Sequence, residues 1–202
     1  KMGSSVTAVS GKMSVVVPIL FAYLVAKESM STLFIIGLVL SLLSIYFISV
    51  KKDLLIEKKH LILPIIVFLG GGVIDTSLKI LESTYSKEVS MDTISYSIFL
   101  GAFIAGLILY TIRFKAQFQF FEKSIIAGIL LGVPNYFSIF FLLSAISGFS
   151  TKSAFVFGVN NVGVVLLSTF LSVIIFREKL SSKNRIGLIL ALISIIIIAY
   201  AS

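Results

Sequence analysis

Apolar residues in this chain form long unbroken runs, separated by short polar clusters. A bilayer core of about 30 Å is crossed by about 20 apolar residues in a helix that rises 1.5 Å per residue. Seven runs approach that length: Val6–Ala26, Thr32–Val50, Leu61–Leu81, Thr93–Ile112, Ile125–Ser147, Ala154–Phe176 and Ile186–Tyr200. Within them the apolar character is continuous and does not alternate, which excludes the strands of a membrane β-barrel. The pattern predicts an all-α membrane protein, a polytopic bundle of seven helices. Pro18, Pro64 and Pro134 fall inside or at the start of spans, where a missing N–H frees a carbonyl or leaves a kink.

Composition agrees with this reading and narrows it. The chain has 202 residues, 58% hydrophobic and 13% charged, against about 45–50% and about 25% in soluble domains. The net charge of +8 would suit a nucleic-acid partner, but the basic residues cluster between apolar runs, as in loops facing anionic lipid. No nucleic acid is expected. Cysteine is absent and His60 is the one histidine, so thiolate chemistry and a His-rich metal site are excluded; His60 reads as a solvated linker residue. No metal, cofactor or catalytic residue is predicted, and the protein is not expected to be an enzyme. No Gly-x-x-x-x-Gly-Lys-Ser/Thr loop is present, so ATP is not the direct energy source.

The chain repeats itself. Displaced by 150 residues, Lys27-Glu28-Ser29-Met30-Ser31 falls on Arg177-Glu178-Lys179-Leu180-Ser181, and Ile36-Gly37-Leu38 falls on Ile186-Gly187-Leu188. Ser44-Ile45 then falls on Ser194-Ile195. Three spans separate the copies, so two equal units would hold five spans each. An odd number of spans places the two copies in opposite orientations, the inverted-repeat design of many secondary transporters.

These residues resemble the EamA-type branch of the drug/metabolite transporter superfamily. The stretch from Gly163 through Phe176-Arg177-Glu178-Lys179-Leu180-Ser181 is similar to the end of its second repeat, and Asn135-Tyr136-Phe137 through Ser144-Ala145 to the third helix of that repeat. The resemblance implies ten helices in two inverted five-helix repeats around a cavity for small metabolites. By that comparison residues 1–50 hold the last two helices of the first repeat, 51–60 a charged linker, and 61–202 a complete second repeat, the first three helices being absent from this chain. It also implies cytoplasmic termini. Charge points the other way: Lys51, Lys52, Lys58, Lys59, Arg113, Lys115, Lys123, Arg177, Lys179, Lys183 and Arg185 lie in one set of alternate connectors, against Lys27, Lys79, Lys87 and Lys152 in the other. The positive-inside rule places the richer set in the cytoplasm and the C-terminus outside.

Ionisable or strongly polar side chains inside a span are costly unless they face a cavity or a partner. Asp75 is the one carboxylate deep in a run, after Gly70-Gly71-Gly72, with Lys79 one helical turn on. It reads as a substrate or proton-coupling group, or as half of an Asp75–Lys79 pair. Lys12 interrupts the first run and maps near Asn161 of the repeat. Lys12, Asp75, Asn135, Asn160 and Asn161 are the candidate substrate-binding residues. Glu28 and Glu178 repeat beside Lys27 and Arg177, and a local ion pair or a helix N-terminus explains them. Gly128 with Gly132, Gly101 with Ala105, and Gly187 with Ala191 have the spacing that lets helices approach closely.

The expected function is secondary transport of a small, amino-acid-like or other organic solute across the inner membrane by alternating access. The expected partners are that solute, the lipid bilayer, protons as the coupling ion and a second copy of the chain in a homodimer. A flippase for a lipid-linked substrate and a non-transporting membrane scaffold are the alternatives.

Overall fold

A computed structural model describes residues 10–49, 62–114, 122–149, 152–177 and 180–201. The linker 51–60 with His60, the start of the first run, and Glu178 with Lys179 lie outside the described residues. Among the described residues there is no strand. The helices are α1 (Val16–Leu24), α2 (Thr32–Ser49), α3 (Ile62–Tyr85), α4 (Met91–Phe114), α5 (Glu122–Gly148), α6 (Ser153–Phe176) and α7 (Ser182–Ala201). The last five are long and apolar enough to cross a membrane, whereas the first two runs give the shorter apolar helices Ser10–Leu24 and Thr32–Ile48. Their outward surfaces are apolar: Leu130 and Leu131 of α5 are 68% and 74% exposed. Only a lipid solvent makes such a surface favourable.

Local chemistry explains several boundaries. Before α1 the helical ladder breaks at Ser14-Val15. Pro18 cannot donate to the Ser14 carbonyl, which accepts from Val17 N–H instead at 2.9 Å. At Pro134 the helical assignment of α5 continues through the residue. α7 begins four residues before its apolar run because Ser181 caps it, its Oγ accepting from Asn184 N–H at 3.2 Å. Ser31 caps α2 in the same way, accepting from Phe34 N–H at 3.1 Å. Lys27 and Arg177 follow α1 and α6 with φ of 56° and 50°, the two positive-φ residues other than glycine among the described residues.

The chain divides into two compact units, 1–79 with 149–202, and Ile80–Gly148; the division falls within α3. In the first unit α2 packs along α7 as the most extensive helix contact. A Cβ on Gly37 would stand 2.7 Å from Ile198 Cγ1, and one on Gly187 would stand 2.8 Å from the Ile48 backbone N. The start of each helix meets the end of the other, so the pair is antiparallel and held at glycine-limited distance. Each residue of the second contact stands 150 positions from its counterpart in the first. The seam between them is lined by Ser41, Ser44, Ile45, Ala191, Ser194 and Ile198, all buried. The three hydroxyls donate to carbonyls of their own helices at 2.7–2.8 Å, which satisfies them without water.

In the second unit α4 packs beside α5, with the Phe99 and Tyr136 rings 5.5 Å apart and Tyr136 stacked on Phe140. A Cβ on Gly101, Gly128 or Gly132 would meet nothing. Of the three small-residue pairs, Gly187 with Ala191 is therefore the one found at a close helix contact.

Candidate functional site

Lys12 and Asp75 lie within electrostatic reach of each other in the first unit. The segment preceding α1 lies against α3 through glycine. A Cβ on Gly11 would stand 3.2 Å from Val67 Cγ1, one on Gly71 2.7 Å from Ser14 Oγ, and one on Gly72 2.5 Å from Val17 Cγ2. The contacts advance together along both helices, so they run parallel. Gly71 and Gly72 thus admit the first helix, whereas a Cβ on Gly70 would meet nothing, and Asp75 stands one turn beyond them. Lys12 and Asp75 are both half-buried, and each lies within the other's electrostatic field. The charge acting on Asp75 is that of Lys12, in the segment preceding α1. Neighbouring hydroxyls are already committed: Ser14 Oγ donates to Gly11 O at 2.7 Å and Thr76 Oγ1 to Gly72 O at 2.7 Å.

Two of the three candidate asparagines lie on α6 and the third in the second unit. Asn161 is half-buried on α6, its Nδ2 donating to Phe157 O at 3.3 Å. Asn160 is exposed beside it. α1 packs against α6 and buries Pro18, Ile19 and Ala22. Asn135 belongs to the second unit and is exposed, next to the aromatic residue Tyr136.

A second polar centre forms around Glu28. Glu28, just past the left-handed turn at Lys27, is buried. Its carboxylate accepts from Ser153 Oγ at 2.5 Å and from Ala154 N–H at 3.1 Å, and lies 3.9 Å from the Lys79 ammonium. α6 has no side-chain cap of its own, so a carboxylate more than a hundred residues away satisfies its first turn. The sequence points to a local pair with Lys27 or to a helix N-terminus; the helix N-terminus is that of α6, and the cation is Lys79. No local spacing signals this, because the partners are distant in the chain. Beside the carboxylate lies a cavity of about 230 Å³, lined by Glu28, Ser31, Phe34, Lys152, Phe155 and Ala201 among others.

These features define a multi-pass helical membrane protein. No family model matches the chain. It is similar to an uncharacterized protein of Haemophilus influenzae, 30% identical over 192 residues, an alignment that covers 94% of this chain and 64% of that protein.

Proposed function

We propose that the chain is part of a secondary transporter of the EamA type, moving a small zwitterionic or otherwise amino-acid-like solute across the inner membrane by alternating access. Lys12 facing Asp75 carries the reading. A single charge at mid-membrane costs about 2.5–3.5 kcal/mol, and opposite charges on adjacent helices reduce that cost for each other. A solute bearing both an ammonium and a carboxylate can take over both partners, the carboxylate at Lys12 and the ammonium at Asp75. Exchanging one pair for two keeps every charge compensated. Asn160, Asn161 and Asn135 are the further substrate-binding candidates, as amides able to donate and accept.

The antiparallel α2–α7 pair supports an inverted repeat. Gly37 against Ile198 and Gly187 against Ile48 are the contacts a two-fold axis perpendicular to the helices would generate. The matching caps at Ser31 and Ser181 and the matching left-handed turns at Lys27 and Arg177 agree with it. On this reading the function is transport and not catalysis, protons are the coupling ion through Asp75, and the transporter is a homodimer. Uptake of radiolabelled amino acids into proteoliposomes containing the full-length protein, with and without a pH gradient, tests it. Asp75→Asn is expected to abolish proton-dependent accumulation; accumulation equal to wild type would overturn the coupling role.

A further inference from the structure

We infer that Glu28 and Lys79 form an ionic latch that closes one membrane face and breaks when that face opens; the inference rests on the transporter reading above. The latch joins three elements. Glu28 sits on the turn after α1, Lys79 lies on α3, and Ser153 and Ala154 begin α6. All are at the same end of the first unit, since α1 and α3 run parallel and Ser31 Oγ, three residues past Glu28, reaches the Ala201 carbonyl at the end of α7. Glu28 and Lys79 are both buried. An ion pair of this kind adds little net stability, because desolvation cancels much of its attraction, which suits a contact that is exchanged for water when that face opens.

The connection to the proposed substrate site is covalent and short. Lys79 is one helical turn beyond Asp75 on α3, and Glu28 ends the α1 arm that begins near Lys12. The two contacts therefore relate the same two segments with crossed polarity: Lys12 within the field of Asp75, and the Glu28 carboxylate paired with the Lys79 ammonium. The ladder break at Ser14-Val15, forced by Pro18, lies between Lys12 and Glu28 and gives the arm a place to bend. A solute that replaces the first pair changes how the arm rests on α3, and the second pair is the contact that movement would strain.

Cysteine reporters test the latch in full-length protein reconstituted in vesicles, independently of transport. Phe34→Cys lies in the cavity beside Glu28, and Ile48→Cys lies at the opposite end of α2, against Gly187. With a water-soluble maleimide, Glu28→Gln and Lys79→Met are each expected to speed labelling at Phe34→Cys by about tenfold and to slow it at Ile48→Cys, the tenfold change corresponding to about 1.4 kcal/mol. Glu28→Asp is expected to fall between these variants and wild type. Faster labelling at both reporters would mean general loosening, and no change at either would mean a static contact; either result overturns the latch. Reciprocal labelling without solute uptake would preserve the latch and reject the transport reading.

Discussion

Gly187 packs against backbone, which makes Gly187→Ala the sharpest test of the antiparallel α2–α7 pair. The added Cβ would stand 2.8 Å from both Ile48 N and Ile48 Cγ1, and 3.0 Å from Phe47 Cβ. The nitrogen cannot rotate away, so the helices must separate along the seam. Overpacking of this kind costs about 1–3 kcal/mol, while alanine returns at most about 1 kcal/mol of helix propensity. With that offset taken in full, the net loss is up to about 2 kcal/mol. Gly37→Ala first meets Ile198 Cγ1, at 2.7 Å, with the backbone N of Ile198 farther off at 3.3 Å; its loss should be smaller. Gly128→Ala and Gly132→Ala meet nothing and should be neutral or stabilising by up to about 1 kcal/mol. Unfolding by increasing SDS fraction in mixed micelles, followed by circular dichroism, ranks the four variants. Equal midpoints for Gly187→Ala and Gly128→Ala would refute the close contact.

Further outcomes follow from the turns and caps. Lys27→Gly and Arg177→Gly relieve a left-handed conformation costing about 1–2 kcal/mol but add about 0.5–1 kcal/mol of unfolded-chain entropy, so each should raise the same SDS midpoint slightly; Lys27→Ala should not. Ser31→Ala and Ser181→Ala remove helix N-caps, and each should cost about 1 kcal/mol in that assay, with no loss at Ser182→Ala.

The lengths and chemistry of the runs were legible because lipid tests each helix one by one. A helix that satisfies its own backbone and exposes apolar side chains needs no partner to be recognised as a span. Hence Leu61–Leu81 and Ala154–Phe176 correspond closely to α3 and α6. Deviations came from local devices that apolar counting ignores: the Ser181 cap extends α7 into Ser182–Arg185, and Pro18 divides the first run.

Repetition of the Lys/Arg-Glu and Ile-Gly-Leu patterns, the small residues able to line a seam, and Lys12 and Asp75 as costly intrusions were fixed by the order of residues alone. Tertiary structure decided the pairings. It matched Asp75 with Lys12 across helices, sent Lys79 to Glu28, placed Glu28 on the uncapped start of α6, and set Gly187 at a close contact while leaving Gly128 in open space. Periodicity along one chain specifies which face of a helix is polar. Which distant helix meets that face depends on packing in three dimensions, and a charge buried in lipid must find its partner wherever the fold brings one.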